Sequence, residues 1–291
     1  MTVDPTLAAL GCALFYGTST YLGGRAAVHI GPTRAVGIFQ ITGFLLALAL
    51  CAIAGANGSL SPPSVKDGLL ALVSGLCFAI GWIFLAKGLA RGRTTIVAPI
   101  ESLTSVGLCA AVEGLLIGWP GQELGVGIAL AAGAAALIGM GSPEQVRSLE
   151  PARYSVAMGV AAGALFGVSY LALGFVSAGA GVVALVTMRF FAAAGSLGWL
   201  AFASHAQPDE AFGNQRQGAA LATAGGVCDG LGTFCFILAT VNALVGVSVA
   251  ILSLYAAVTV LLGIILLKER PSQAQLAGLT TAVCAILLLT R

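Results

Sequence analysis

Charged side chains are scarce in this sequence. Thirteen Lys and Arg and eleven Asp and Glu make up only 8% of the 291 residues, whereas soluble domains carry about 25%. A water-exposed surface for a chain of this length cannot be built from so few charges. The composition therefore excludes soluble enzymes, nucleic-acid binders and disordered chains, and it favours an integral membrane protein.

The motifs of common catalytic and metal sites are also missing. The sequence has no nucleotide-binding Gly-x4-Gly-Lys-Ser/Thr motif, no Cys-x-x-Cys pair and no His-Glu-x-x-His motif, and its two histidines lie in connections. We therefore predict no catalytic residue, no metal site, no cofactor and no nucleic-acid partner. An intramembrane enzyme and a membrane sensor or scaffold remain as alternatives to a transporter.

Long apolar runs occupy most of the chain. A helix needs roughly 20 apolar residues to cross the hydrocarbon core of a bilayer. Ten segments meet this requirement and show no strand-like alternation, which predicts an all-α, multi-pass membrane protein. The predicted spans are 6–25, 34–56, 67–88, 95–117, 122–141, 154–176, 181–203, 217–240, 243–267 and 272–290.

The two halves of the chain are copies of one unit. A shift of about 150 residues places Gly17 and Ser19 on Gly167 and Ser169. We predict a first repeat at 1–143, a linker at 144–153 and a second repeat at 154–291, with five spans in each repeat. An odd number of spans inverts the second copy relative to the first, which is a common architecture of transporters.

The forty glycines predict close helix packing. Small residues let helix backbones approach each other in lipid, where the hydrophobic effect does not drive helices together. Three glycines lie on one face of the sixth span, and shorter pairs occur in two other spans. The residues concerned are Gly159, Gly163 and Gly167, then Gly121 and Gly125, then Gly226 and Gly230. Sliding surfaces between moving helices are the alternative role.

Several segments resemble EamA-type transporters of the drug/metabolite transporter superfamily. LLGIILLKERPSQAQLAGLTTAVCAILLL (261–289) is similar to the end of an EamA repeat, and SLYAAVTVLL (253–262) to the helix before it, with Ala256 at the usual proline. ALFYGTSTY (13–21) and GALFGVSYLALGF (163–175) resemble the first helix of each repeat, and TMRFFAA (187–193) resembles the second. The first copy departs from the pattern, because Gly118 stands where the second copy has Glu269.

Asp229 and Arg189 are predicted to lie deep in the membrane. A charge at the middle of the bilayer costs about 2.5–3.5 kcal/mol on insertion scales. At 1.5 Å per residue, Arg189 is about 12 Å and Asp229 about 16 Å from the shared end of two antiparallel spans. The two residues could therefore form an ion pair. Asp229 is otherwise a candidate for proton coupling or for binding a substrate amine.

Glu101 is the third deep charge. It follows Pro99, which removes a helix hydrogen bond, and it precedes Ser102, so we expect an opened helix that lines a cavity. Lys87 is close enough in sequence to neutralise it. Glu113, at the other end of this span, is expected to reach the membrane interface.

The resemblance implies a central cavity lined by the first, third and fourth helices of each repeat. It places the following candidate substrate-binding residues near that cavity: Tyr16, Ser19, Trp82, Glu101, Ser102, Tyr170, Asp229 and Tyr255. Packing in the core is the alternative role of each. Proton coupling or an ion pair is assigned to Asp229, Arg189 and Glu101.

The predicted function is a secondary transporter that exports a small metabolite by alternating access, with an amino acid or a related zwitterionic or aromatic compound as substrate. The expected partners are this small-molecule substrate, the lipid bilayer, protons as coupling ions and a second copy of the chain in a homodimer. The expected location is a bacterial inner membrane. The resemblance implies that both termini are cytoplasmic, whereas the excess of basic residues after odd-numbered spans predicts the opposite orientation.

Overall fold

The computed structural model describes residues 4–56, 62–91, 94–119, 121–140, 151–203, 214–240, 244–267 and 271–289. Eleven α-helices lie within these ranges, together with a short 3₁₀ turn at Ala178–Ala180. The helices are α1 (Pro5–Ile30), α2 (Pro32–Ala56), α3 (Val65–Arg91), α4 (Thr94–Leu116), α5 (Gln122–Met140), α6 (Ala152–Gly174), α7 (Gly181–Ala203), α8 (Gln215–Thr240), α9 (Val245–Leu252), α10 (Tyr255–Leu267) and α11 (Gln273–Leu289).

Eight segments are long and apolar enough to cross a membrane, and they correspond to the second to ninth predicted spans. The prediction of a multi-pass helical membrane protein is confirmed to this extent. The first and the tenth predicted spans are not among these eight. Helix α1 has 26 residues but carries several Thr, Ser and Tyr side chains, and α11 has only 17 residues. Exposed apolar side chains such as Leu45, Ile53 and Val283 cover the outside of the bundle, as lipid contact requires.

The predicted ninth span is two helices instead of one. Helix α9 ends at Leu252 and α10 begins at Tyr255. Between them the amide of Leu254 bonds the carbonyl of Ile251, and that of Ala257 bonds Leu254, which are the three-residue steps of a tight turn. The hydroxyl of Ser253 also bonds a backbone carbonyl, that of Ala250, at 2.7 Å. These bonds satisfy polar backbone groups at the break.

The predicted opening of the helix at Pro99 is wrong. Helix α4 runs without interruption from Thr94 to Leu116. Pro99 lies in the second turn, where its missing N–H removes one bond only, to a carbonyl of the first turn. The break in the described membrane helices therefore lies before Tyr255 and not beside Pro99.

Helices from the two halves of the chain pack against each other. Helix α1 packs on α8, α3 on α6 and α7, α2 on α7 and α8, α4 on α6, and α5 on α11. Arg189 of α7 is the largest fully buried side chain, and it lies where α2, α7 and α8 meet. The most extensive helix contacts in the bundle therefore join one half of the chain to the other.

Glycines allow the close contact of α6 with α4. A Cβ atom at Gly159 would lie 2.8 Å from the carbonyl oxygen of Val97, and one at Gly163 would overlap the carbonyl oxygen of Glu101. The predicted close packing is confirmed along this face. It is wrong for Gly121 and Gly125, where an added Cβ would meet nothing within 4 Å.

We predict that Gly163→Ala destabilises the protein by about 1–3 kcal/mol, because the new methyl group would press on the backbone of α4. Gly107→Ala is the matched control, since a Cβ at Gly107 of α4 meets nothing within 4 Å. The free energy of unfolding in detergent micelles, measured with sodium dodecyl sulfate as denaturant, compares the two. Equal stability of the two variants would contradict the packing of α6 on α4.

Candidate functional site

The residues predicted to line a cavity come from seven helices. They are Tyr16 and Ser19 of α1, Trp82 of α3, Glu101 and Ser102 of α4, Tyr170 of α6, Arg189 of α7, Asp229 of α8 and Tyr255 of α10. The side chains form one polar cluster around Arg189, a second around Glu101, and a row of aromatic rings.

Arg189 and Asp229 form an ion pair in the interior of the bundle. Both side chains have no exposed surface, and a guanidinium nitrogen of Arg189 donates to the carboxylate of Asp229. The other terminal nitrogen donates to the backbone carbonyl of Asp229 at 2.8 Å and to the hydroxyl of Thr233. Three hydrogen bonds therefore hold the guanidinium to one turn of α8, which fixes α7 against α8.

Helix α2 supplies a further acceptor to the same cluster. The amide oxygen of Gln40 accepts a hydrogen bond from Arg189 at 3.3 Å. Arg189 also lies over the ring of Phe78, with its guanidinium carbon 5.4 Å from the ring centre. A guanidinium has five N–H donors and no acceptor, so a buried one needs several acceptors. Here α2 and α8 provide acceptors for its two terminal nitrogens.

Glu101 lies in a separate cluster and is not paired with a cation. Its side chain is 4% exposed, and the hydroxyl of Tyr255 donates to it at 3.3 Å. Within the part of the chain that the structure describes, Glu101 has no salt bridge. Lys87, which was expected to neutralise it, is exposed and lies over the ring of Trp199 at 4.4 Å. Glu101 is therefore a buried carboxyl group without a resident counter-charge.

A row of aromatic rings crosses the middle of the bundle. Trp82 lies 6.0 Å from Phe166, Phe166 lies 6.4 Å from Tyr170, and Tyr170 lies 5.3 Å from Phe236, all between ring centres. These are normal distances for interacting rings. The row joins α3, α6 and α8 and provides an apolar, polarisable surface.

Tyr170 lies near residues of both polar clusters, since Glu101, Tyr255 and Tyr16 are all within electrostatic range of it. Tyr16 in turn hydrogen-bonds Thr233, whose hydroxyl accepts from Arg189, at 2.8 Å. Residues of the two clusters thus lie near the same tyrosine.

The remaining two candidate residues, Ser19 and Ser102, are buried, and each is close in sequence to a residue of the site. Ser19 is 1% exposed, on the same helix as Tyr16. Ser102 follows Glu101 and is 4% exposed, and its hydroxyl has no hydrogen-bond partner among the described residues. In the described ranges, no side-chain hydrogen bond of Ser19 or Ser102 to the rest of the site is seen.

The interpretation of the sequence missed several residues of this region, among them Thr233, Phe166 and Gln40. Thr233 lies one helical turn after Asp229, and Phe166 lies one turn before Tyr170, so helical spacing from a candidate residue would have found both. Gln40 belongs to the first repeat, and it accepts a hydrogen bond from Arg189 of the second. Its contact with Arg189 follows from the meeting of α2 with α7, which no local pattern reveals.

Glu113, which was expected to reach the membrane interface, is buried against another helix. It is 4% exposed, and its carboxylate accepts hydrogen bonds from the backbone N–H groups of Val245 and Gly246. These are the first two residues of α9, whose N–H groups have no acceptor within the helix. The acid of one half of the chain therefore caps a helix of the other half.

We predict that Arg189→Ala destabilises the protein by about 3–5 kcal/mol, because it leaves the Asp229 carboxylate buried without a partner. The double variant Arg189→Ala with Asp229→Ala should recover part of this loss, since it removes both charges. Folded yield and unfolding free energy in micelles measure the effect. Equal values for the single and double variants would contradict a coupled pair.

Comparison with known proteins agrees with the fold and with the sequence resemblance. Residues 153–291 match the model of the EamA-like transporter family. No curated protein sequence matches the chain. One solved structure, described only as the crystal structure of a protein, shares the fold with a TM-score of 0.77 at 14% identity, over 100% of this chain and 97% of that chain. The predicted resemblance is thus confirmed for residues 153–291, and this segment of the multi-pass membrane protein is similar to the EamA-like transporter family.

Proposed function

We propose that the protein exports a small metabolite that carries an amino group, such as an amino acid or a related aromatic compound, by alternating access. The observation that carries this proposal is the state of Glu101. It is a buried carboxyl group that accepts a hydrogen bond from Tyr255 and has no cation beside it in the described part of the chain.

A buried carboxylate without a counter-charge is costly, so it binds a proton or a cation. A substrate ammonium group would provide the missing charge. The rings of Tyr255 and Tyr170, which lie close to Glu101, favour the same ligand, because aromatic faces attract cations. The row from Trp82 to Phe236 would hold an apolar or aromatic part of the substrate.

We assign proton coupling to Glu101 rather than to Asp229. The carboxylate of Asp229 already neutralises Arg189, and both are fully buried. Releasing Asp229 would leave the guanidinium without its counter-charge, which makes this pair a structural element. At Glu101 a proton and a substrate amine would compete for one site, and this competition couples their movement in opposite directions.

Alternating access requires two states of similar energy, and a repeated architecture supplies them. Our proposal includes ten membrane crossings, arranged as inverted repeats at 1–143 and 154–291 that are joined by a linker at 144–153. Two equivalent contacts support it. Gly81 packs against Phe166, and Gly232 packs against Tyr16. The second pair is the first with its halves exchanged, at shifts of 151 and 150 residues.

Further parts of the proposal follow from the family. A bacterial inner membrane would supply the proton gradient that an exporter of this kind uses. A homodimer is part of the same proposal, because the exposed apolar sides of the bundle could pack on a second copy in the bilayer as well as on lipid.

We predict that proteoliposomes containing only this protein release an amine-bearing compound from an internal mixture of amino acids and aromatic amines when a proton gradient directed inward is imposed. Glu101→Gln should lower the rate at least about tenfold, because a charge-assisted hydrogen bond is worth about 1.5–3 kcal/mol. Mass spectrometry of the external solution measures the release.

Glu123→Gln is the matched control, since Glu123 is an exposed acid in the first turn of α5. It should transport at the rate of the unchanged protein. The proposal fails if no compound in the mixture is released, or if Glu101→Gln transports as fast as Glu123→Gln.

A further inference from the structure

Helix α9 lies along α4 between two buried acids. At the start of α9, the N–H groups of Val245 and Gly246 donate to the carboxylate of Glu113, and the two helices pack together. Glu101 lies twelve residues before Glu113 on α4, which is about 18 Å at 1.5 Å per residue. Val245 and Tyr255 are ten residues apart, or about 15 Å at the same rise. Helix α9 therefore runs antiparallel to α4, and the break that follows it comes close to Glu101.

Helix α10, which follows the break, is bonded to α1. The hydroxyl of Thr259 lies 3.0 Å from the carbonyl oxygens of both Gly17 of α1 and Tyr255 of its own helix, and it donates to them. Gly17 permits a close approach, because a Cβ atom there would lie 2.6 Å from the carbonyl oxygen of Tyr255. The break at 252–255 thus separates a helix bonded to α4 from a helix bonded to α1.

The side chain of Tyr255 connects these two parts. Tyr255 is the first residue of α10, and its hydroxyl donates to the carboxylate of Glu101 on α4 at 3.3 Å. A hydrogen bond to a charged acceptor is roughly twice as strong as one between neutral groups. A proton on Glu101 removes the charge, so the bond from Tyr255 weakens.

An ammonium group has a different effect on this bond. It leaves the carboxylate of Glu101 charged, and an ionised carboxylate has enough lone pairs to accept from both Tyr255 and the ammonium group. The two ligands that compete for Glu101 in the proposed function therefore act differently on the first residue of α10.

We infer that Tyr255 is a positioning residue, which holds α10 on α4 while Glu101 is charged and releases it when Glu101 takes up a proton. The inference rests on the ligand site at Glu101 in the proposed function, and it adds the means by which the helices distinguish the two ligands. The break is tight with an amine bound and loose with a proton bound. The substrate-loaded and protonated states then differ in the freedom of the backbone at 252–255.

The surroundings of Glu101 make its charge the variable that this bond reports. Two tyrosines face it from other helices, Tyr170 of α6 and Tyr255 of α10, and a phenol stays neutral up to about pH 9. Helix α9 carries no titratable side chain, and the only one on α5 is Glu123, which is exposed. Lys87 of α3 is also exposed. A change in the Tyr255 bond between acid and alkaline solution therefore follows the titration of Glu101.

Tyr255→Phe tests the inference, because it removes the hydroxyl and keeps the ring. Hydrogen–deuterium exchange with mass spectrometry, on the full chain in lipid nanodiscs without substrate, measures backbone opening at 252–259. The quantity compared is the ratio of the exchange rates of variant and unchanged protein at the same pD, which cancels the intrinsic effect of pD. Thr259→Val is the matched control, since it removes a hydroxyl of the same helix whose acceptors are carbonyl groups.

We expect Tyr255→Phe to raise the exchange rate at 252–259 roughly tenfold at about pD 9, and roughly threefold or less at about pD 5. The ratio for Thr259→Val should be the same at both pD values. In a Glu101→Gln background, Tyr255→Phe should have only the small effect at either pD. A ratio for Tyr255→Phe that is equal at both pD values, or that Glu101→Gln does not change, would overturn the positioning role and leave the hydroxyl as a structural bond.

If Tyr255→Phe does not fold, Glu101→Gln carries the test by itself, because Gln resembles the protonated acid. Its ratio should be roughly tenfold at about pD 9 and close to one at about pD 5. Equal ratios at the two pD values would again overturn the inference.

This experiment does not use the substrate. A pD-dependent ratio with no amine release would refute the proposed substrate and leave the response of Tyr255 to the proton standing. Amine release that depends on Glu101, with a ratio that is equal at both pD values, would refute the positioning role alone.

Discussion

A charge buried in a hydrocarbon environment must have its compensation within the protein, and the interior of this bundle is organised around that constraint. Arg189 has its counter-charge in Asp229 and further acceptors in Thr233 and Gln40. The bonds join α2, α7 and α8, which come from both halves of the chain. The positions of the neighbouring rings, with Phe78 beneath the guanidinium and Tyr16 on Thr233, depend on this arrangement.

The need to compensate a buried charge also distinguishes the four buried acids by the partner that each one has. Asp229 is matched by a guanidinium, and Asp67 and Glu113 are matched by backbone N–H groups. Among the described residues, Glu101 has only the hydroxyl of Tyr255 as a partner. Three of these four buried acids thus join helices, and Glu101 is the acid to which the proposed function assigns the ligand. The sequence shows these four acids only as charged residues, whereas the structure distinguishes them by their partners.

Much of the fold follows from the sequence because a helix that crosses lipid must be long and apolar. Long apolar runs indicated the helices, and eight of them are long and apolar enough to cross a membrane. The spacing of Gly159, Gly163 and Gly167 indicated a close helix contact, and the structure shows its partner to be α4. The depths of Arg189 and Asp229 suggested that the two could meet, because helical rise converts sequence distance directly into depth.

The predictions failed at two helix positions and at contacts between distant segments. The break before Tyr255 occurs although Ala256 replaces the usual proline, so the turn is held by backbone bonds of 251–257. Pro99 suggested a break that α4 does not have. The role of Glu113 depends on α9, more than 130 residues later in sequence, and the aromatic row depends on how three helices meet. No local pattern contains this information.

The partnership of Arg189 with Asp229 also has a consequence for how the chain enters the membrane. Arg189 is made 40 residues before its counter-charge, so α7 on its own would carry an uncompensated guanidinium into lipid. Entry becomes favourable once α8 is present beside it. The translocon should therefore release α7 and α8 as a helical hairpin rather than one at a time, with α7 waiting in the channel until Asp229 has been synthesised.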